Sequence, residues 1–334
     1  AAAAYRLALE RAKRGDEPDD ARVQPLTGCD GARMRDAVTS DEGDQVDIGE
    51  DGRAHQQRRA DVHRLLAQAA DEIGTDLYHG GVRRADIGGV HPAKLHRELR
   101  RVAEAAGVAI HSGVGVTDIR RTGTTFEVTT PKGKIQAAHV VVATNGYTDK
   151  GLPWLRRRLV PVVSEMIATE PLSPNLMQKL MPKRQMYGEN RQLGYYYRPS
   201  PDGTRILLGG RRYASDTEAA RERLRQGLIE IFPELDTVKL THHWGGFVAF
   251  PMDQLPKLAV QDGIVYAAGF CGSGVVWARW MGMKAAALVL ERDEPSAFYS
   301  DAFRRIPFYN GTPWFLPVMM NWYRLKDRLT AATK

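Results

Sequence analysis

The segment that most constrains the fold of this chain lies between Gly263 and Gly282. A β-rich run from Ile264 to Ala268 ends in a glycine cluster, and an apolar stretch of helical composition continues to Leu290. A strand that enters a helix through a glycine-rich turn aims backbone N–H groups and the positive helix end at one point. Such a turn suits an anion or a carbonyl-rich ring system. Taken alone, it is equally compatible with an ordinary structural turn.

A second strand and turn are predicted over Ile135–Tyr147. Val140–Val142 is a continuous apolar run, which is typical of a strand buried on both faces. The tetrapeptide Ala143-Thr144-Asn145-Gly146 follows it directly. The stretch between the two glycine turns is long enough to hold a second domain.

The intervening and preceding segments also have recognisable patterns. A β-hairpin is predicted for Tyr195–Gly203 and Ile206–Gly210, because Pro201-Asp202-Gly203 supplies turn residues between aromatic and β-branched runs. The remaining segments are a strand over Leu159–Pro171, a Trp-Gly-Gly segment at Trp244–Asp253, a helix over Pro92–Gly107, and strands over Val108–Ile110 and Gly113–Ile119.

From about Asp71 onward, this order of motifs resembles the FAD-dependent amine and amino-acid oxidoreductases of the D-amino-acid oxidase superfamily. The similar members are the γ-glutamylputrescine, glycine and sarcosine oxidase-like enzymes. The resemblance implies a mixed α/β fold, with a Rossmann-like FAD/NAD(P)-binding domain and an antiparallel-sheet substrate domain. It also implies FAD as cofactor, with the last glycine loop at the flavin and the earlier turn beside the pyrophosphate. The implied cofactor contacts are Val116, Ala143, Thr144, Asn145, Gly146, Gly269, Phe270, Gly272, Ser273, Gly274 and Val275.

The first seventy residues depart from that family. Its members begin with a strand, a G-x-G-x-x-G turn and a helix, and this chain contains no G-x-G-x-x-G. Ala1–Ala12 resembles the helix that follows this turn, and Arg22–Leu26 resembles a second strand without its acidic end. Asp36–Arg59 has almost no large apolar residues, so we expect a loop or disordered segment there. The N-terminus is therefore predicted to be truncated or rearranged relative to the family.

Strand and helix patterns alternate before residue 150 and strands cluster afterwards, which predicts a division into domains. We expect residues 1–160 and 255–295 to form a discontinuous FAD-binding domain, in which residues 31–70 are atypical or disordered. Residues 160–254 should form the substrate-binding domain. Residues 296–334 should form a C-terminal helical extension.

The chemistry that the resemblance implies is hydride transfer from an amine carbon to the flavin, followed by hydrolysis of the imine. Such a site needs an apolar wall, and one cation where the substrate carries a carboxylate. Tyr196, Phe247 and Trp277 are candidates for the wall, and Arg198 or Arg211 for the cation. The same residues are equally compatible with ordinary sheet aromatics and surface arginines. The sequence identifies no catalytic residue.

Composition narrows the class of protein. The chain has 334 residues, of which 43% are hydrophobic and 26% charged, as in ordinary globular proteins. Cys29 and Cys271 are its only cysteines, which predicts a reducing cytoplasm and no metal site. Cys271 is expected to fill its turn as a small side chain rather than to form a covalent flavin bond. The net charge of +7 is scattered among acidic residues, so no nucleic-acid partner is expected.

The apolar tract Trp314–Tyr323 is too short and too interrupted to span a bilayer. Packing against its own body, against a neighbour, and against a membrane surface with Arg324, Lys326 and Arg328 behind it remain open. An oligomer is also compatible with the sequence.

Two functions remain compatible with these residues. The first is FAD-dependent oxidation of the C–N bond of an amine or amino acid. The second is a pseudoenzyme or fragment of such a flavoprotein that has lost FAD and serves binding or assembly. The glycine loop at the end of the chain favours the first function, and the missing G-x-G-x-x-G favours the second.

Overall fold

The computed structural model describes residues 72–78, 80–81, 83, 88–211, 217–292, 296–300 and 303–332. These residues belong to two compact units. The first contains Pro92–Val163 and Phe247–Trp314, and the second contains residues 72–91, Ser164–Gly246 and residues 315–332. The predictions for Ala1–Ala12, Arg22–Leu26 and residues 31–70 lie outside the described residues.

The helices and strands are named in chain order. They are α1 Pro92–Ala105, β1 Asp118–Thr122, β2 Thr125–Thr130, β3 Gly133–Ala137, β4 Val141–Val142, α2 Pro153–Arg156, β5 Val160–Thr169, α3 Pro174–Leu180, β6 Tyr187–Gly188, β7 Tyr196–Pro199, β8 Ile206–Arg211, α4 Thr217–Ile231, β9 Leu240–Phe250, β10 Lys257–Gln261, β11 Ile264–Ala268, α5 Gly274–Val289 and α6 Leu316–Ala332. Two 3₁₀ turns cover Asn145–Tyr147 and Pro233–Leu235.

The first unit contains two small sheets. Strands β1, β2 and β3 form an antiparallel meander, and the second sheet has the order β10-β11-β4. Within it, β10 pairs antiparallel with β11, whereas β11 pairs in parallel with β4. All five residues of β11 are buried, as expected for a central strand covered on both faces. One face packs on a cluster that includes Leu155 and Leu159, and the other packs on Met281 and Ala285 of α5.

The second unit is built around a five-stranded sheet with the order β6-β7-β8-β5-β9. One face is covered by α4, because Leu224 and Leu228 of this helix pack with Ile167 of β5 and Leu208 of β8. Tyr197 is buried in the same cluster, while the neighbouring Tyr196 is 39% exposed. Alternation along β7 therefore turns Tyr196 to the opposite face of the sheet.

The structure confirms the mixed α/β fold class with antiparallel sheets. The predicted helix begins at Pro92, and the predicted hairpin is the β7–β8 pair. The prediction of a strand at Val108–Ile110 is wrong, since this segment is irregular and Ile110 is 39% exposed. Its short apolar run has no pairing strand among the described residues. The strand predicted over Gly113–Ile119 begins only at Asp118, after a turn in which Gly113 has a φ of 66°.

Candidate cofactor site

The two predicted glycine turns lie at the same edge of the β10-β11-β4 sheet. Val141 pairs in parallel with Val265, and Val142 with Tyr266. Ala143–Gly146, here called the first turn, follows β4 directly, and Gly269–Gly274, here called the glycine loop, follows β11. The carboxyl ends of neighbouring parallel strands are where α/β sheets bind their ligands. The structure therefore brings both predicted turns to the same end of the sheet.

A direct hydrogen bond joins the two turns. The side-chain Oδ1 of Asn145 accepts from the backbone N–H of Gly269 at 2.9 Å, across 124 residues of sequence. Asn145 has a φ of 45°, in the left-handed region that asparagine tolerates better than most residues. The Thr148 hydroxyl donates to the Asn145 carbonyl at 2.7 Å and holds this conformation. Asn145 therefore fixes the start of the glycine loop relative to the first turn.

Gly146 closes the first turn against the end of β9. A Cβ at this position would lie 2.8 Å from the carbonyl oxygen of Phe247 and 2.9 Å from its Cβ, so only glycine fits. The rings of Tyr147 and Phe247 meet edge to face with centroids 5.4 Å apart. Phe247, a predicted substrate contact, is therefore packed at the first turn while 45% of it stays exposed.

The glycine loop has an unusual backbone. Gly269, Cys271 and Gly272 have φ values of 78°, 52° and 92°. The Cys271 N–H donates to the Ala249 carbonyl at 3.1 Å, and its thiol donates to the Gly269 carbonyl at 3.2 Å. A Cβ on Gly272 would meet nothing within 4 Å. The requirement for glycine there comes from the left-handed backbone, and the space beside it is open.

Helix α5 begins directly after this loop. Ser273 stands at its N-cap position without a side-chain capping bond, and its carbonyl accepts from Val276 and Trp277 at 3.2 and 3.1 Å. No described residue accepts from the N–H groups of Gly274 and Val275. Neither turn contains a charged side chain. Within the two turns, the electrostatic character therefore comes from backbone N–H groups and the positive helix end, which favour anions and carbonyl oxygens. One charged side chain, that of Arg156, lines a small cavity beside Asn145 and Gly146.

A family model described as "DAO: FAD dependent oxidoreductase" matches residues 26–288, which is more than half of the chain. The chain belongs to this FAD-dependent oxidoreductase family. FAD is the cofactor of this family, and the matched residues include both glycine turns.

Individual relatives agree with the family. The chain is 30% identical over 268 residues to a probable oxidoreductase OrdL of Rhizobium meliloti (strain 1021), covering 78% of this chain and 61% of that protein. It is 31% identical over 272 residues to the gamma-glutamylputrescine oxidoreductase of Escherichia coli (strain K12), covering 77% and 62%. The chain therefore spans about three-fifths of the length of these curated relatives.

Solved structures show the same fold. Glycine oxidase from Geobacillus kaustophilus superposes with a TM-score of 0.59 at 20% identity, covering 73% of this chain and 66% of that one. Iminodiacetate oxidase from Chelativorans sp. BNC1 gives a TM-score of 0.53 at 19% identity, covering 90% and 82%. At these identities the likeness concerns the fold alone.

The remaining predicted cofactor contacts of this DAO-family chain lie in the first unit. Val116 packs against the cluster that contains Val142 of β4, and Phe270 is buried beside Met281. The hydroxyls of Thr144 and Thr148 are 2.8 Å apart. Val275 is 49% exposed at the start of α5. That these residues contact FAD stays a prediction.

The predicted substrate residues divide between the two units. Tyr196 and Arg198 belong to the second, and Phe247 and Trp277 to the first. The Tyr196 hydroxyl hydrogen-bonds the Ser164 hydroxyl, and Arg198 Nη1 donates to the Val90 carbonyl at 3.0 Å. The Trp277 ring lies 4.8 Å from the Phe298 ring and 6.3 Å from that of Trp280, measured between centroids. That the four residues share one substrate pocket stays a prediction.

A buried carboxylate in the second unit escaped the sequence patterns. Glu189 Oε1 accepts from the Tyr78 hydroxyl at 2.6 Å, and Arg191 donates to its two oxygens from Nε at 2.8 Å and from Nη2 at 2.6 Å. The Tyr195 N–H also donates to Glu189, at 2.8 Å. Burial and the Glu189 hydrogen bond raise the pKa of Tyr78. We call this set the Glu189 cluster; no local pattern signals it, because Tyr78 is 111 residues away.

No group of three His, Cys, Asp or Glu side chains in the described part of the chain is placed to hold a metal ion.

Proposed function

We propose that this protein binds FAD and oxidises the C–N bond of an amine or amino acid. The observation that carries the proposal is the hydrogen bond from Gly269 to Asn145, which joins two glycine turns at the carboxyl ends of the parallel strands β4 and β11. Membership of the family makes FAD the cofactor to test in that place. When bound, the flavin supplies the ring that accepts the hydride.

The residues of the site fit this cofactor in three respects. The N–H groups of Gly274 and Val275 are donors for carbonyl or phosphate oxygens. The open space beside Gly272 lets a planar ring approach the backbone. The absence of charged side chains in both turns leaves the ring among neutral groups. We assign Gly269–Val275 to the flavin and Ala143–Gly146 to the pyrophosphate side.

The substrate class follows from the relatives. Among the similar proteins are a gamma-glutamylputrescine oxidoreductase, a glycine oxidase and an iminodiacetate oxidase, which are named for amines or amino acids. In this chain, the exposed rings of Tyr196 and Phe247 supply apolar surface that disfavours a charged ammonium group. We assign Arg198 as the cation for a substrate carboxylate and Trp277 as a further aromatic contact.

The rest of the assignment is coarser. We place the FAD-binding function in residues 1–160 and 255–295 and substrate binding in residues 160–254, which include all five strands of the larger sheet. The scarcity of cysteine favours a reducing cytoplasm. The interleaving of acidic residues with the basic ones argues against a nucleic-acid partner. An oligomer is compatible with these assignments.

The proposal is tested by titrating the purified, cofactor-depleted protein with FAD and following fluorescence quenching. We expect saturable binding and flavin absorption at about 450 nm. γ-Glutamylputrescine, glycine and sarcosine are then added separately under anaerobic conditions. At least one of these amines should bleach the flavin absorption band. Saturable binding without bleaching by any amine would leave a binding protein in place of an enzyme. Failure to bind FAD at all would favour the pseudoenzyme or fragment.

A further inference from the structure

The C-terminal helix α6 carries an exposed apolar stripe. Val318, Trp322, Leu325 and Leu329 are 72%, 57%, 48% and 59% exposed. Their spacing of four, three and four residues places all four side chains on one face of the helix. Large apolar side chains that line up on a surface mark an interaction site more often than isolated ones do.

The opposite face of α6 is buried at one position and hydrogen-bonded to the second unit at another. Met320 is only 3% exposed. The Asp327 carboxylate accepts from the N–H groups of Gln192 and Leu193, at 2.9 and 3.1 Å. At about 100° per residue, Met320 and Asp327 lie roughly opposite the stripe. The helix therefore has a fixed inner face, and the stripe is directed away from the residues that hold it.

Basic side chains lie to either side of the stripe, with Lys326 next to it and Arg324 between it and the inner face. At about 100° per residue, Lys326 lies roughly 80° from Val318 on one side, and Arg324 lies about 120° from it on the other. Long lysine and arginine stems let the charged groups reach the level of phosphate headgroups while the apolar face inserts below them. Asp327, the only acidic residue of α6, lies on the inner face and is hydrogen-bonded there.

We propose that α6 docks on the surface of a bilayer that contains anionic phospholipid. An apolar stripe between two basic margins is complementary to such a surface in both hydrophobicity and charge. None of the described helices is long and apolar enough to cross a membrane. Pairing with a second copy of α6 is disfavoured, because basic margins would meet basic margins. This proposal does not depend on FAD binding.

The test is co-sedimentation of the full chain with vesicles of phosphatidylcholine, with and without about one-third phosphatidylglycerol. We expect the wild type to sediment with the anionic vesicles and to be released by high salt. Trp322→Ser combined with Leu325→Ser should weaken this binding about tenfold or more, because both apolar side chains leave the interface. Arg324→Gln combined with Lys326→Gln should lower binding to anionic vesicles and leave binding to neutral vesicles unchanged.

The matched control is Ile135→Ser. It removes an apolar side chain that is 50% exposed on β3 of the first unit. It should sediment as the wild type does. Far-UV circular dichroism and thermal melting establish which variants are folded, and the charge variant carries the test if the apolar one unfolds. Absence of wild-type sedimentation, or equal sedimentation of all folded variants, would overturn the proposal. A wild-type dimer in analytical ultracentrifugation that Trp322→Ser and Leu325→Ser dissociate, without vesicle binding, would identify a second copy as the occupant instead.

Discussion

The two glycine turns of the first unit and the Glu189 cluster of the second unit differ in how their polar groups are satisfied. In the Glu189 cluster, one carboxylate accepts from Tyr78, Arg191 and the Tyr195 N–H, so its capacity is used within the protein. In the turns, the Gly274 and Val275 N–H groups find no acceptor among the described residues. A saturated polar network stabilises architecture, whereas the donors at the start of a helix stay available to water or to a ligand.

The largest expected effect comes from removing the shared acceptor of the Glu189 cluster. Glu189→Ala should lower the free energy of unfolding by about 3 kcal/mol, since it leaves Tyr78 and the Tyr195 N–H without their acceptor and Arg191 without its main partner. Glu234→Ala is the matched control, because its ion pair with Lys179 lies at the surface and should be worth less than about 1 kcal/mol. Urea unfolding measures both. Equal losses would show that the Glu189 cluster is no more important than a surface pair.

The second prediction tests the glycine loop. Gly272→Val should weaken FAD binding about 100-fold, roughly 2.7 kcal/mol, because a β-branched residue rarely adopts a φ of 92° and the loop must shift. Gly133→Val is the control, since Gly133 in the β2–β3 hairpin has a φ of 132° and equally open surroundings. Fluorescence quenching by FAD should separate the two variants, with Gly133→Val binding as the wild type does. Equal FAD affinities in the two variants would remove the glycine loop from the cofactor site.

The third prediction concerns close packing at the first turn. Gly146→Ala should cost about 1–3 kcal/mol of stability, because its Cβ would meet the Phe247 backbone at 2.8 Å. Gly282→Ala in α5 places its Cβ in open space and should leave stability unchanged or raise it by up to about 1 kcal/mol. Thermal melting of the cofactor-free proteins distinguishes them. A neutral Gly146→Ala would mean that the end of β9 yields easily.

The smallest expected effect separates the two roles of Asn145. Asn145→Gly keeps access to the left-handed backbone and removes the acceptor for Gly269, so FAD affinity should fall by about tenfold at most. Asn145→Asp keeps both the conformation and an acceptor, but it adds a carboxylate on the side assigned to the pyrophosphate. The comparison is therefore made at high salt, which screens this repulsion, and there Asn145→Asp should bind FAD more tightly than Asn145→Gly. Both are measured by the same quenching titration. If Asn145→Asp is as impaired as Asn145→Gly, the hydrogen bond is not what positions the glycine loop.

Local chemistry explains why the sequence predicts the two turns and misses their connection. The strand, glycines and helix around Gly272 are contiguous, and the apolar run before Ala143 signals its own burial. The bond from Gly269 to Asn145 depends on which strands become neighbours, and no local pattern states that. The strand prediction for Val108–Ile110 is wrong for the same reason, because an apolar tripeptide forms a strand only where a partner strand pairs with it.

The short strand β4 has a kinetic consequence. The β10–β11 hairpin holds five residue pairs between adjacent segments of chain, whereas β4 adds two pairs to β11 from the other end of a long loop. Closing such a loop costs entropy before its few contacts repay it. We expect the β10–β11 hairpin to form early in folding and β4 to pair with β11 late. The first turn, which follows β4, should reach its native position last. A cofactor held between both turns would then act as a clasp that drives this final closure by mass action.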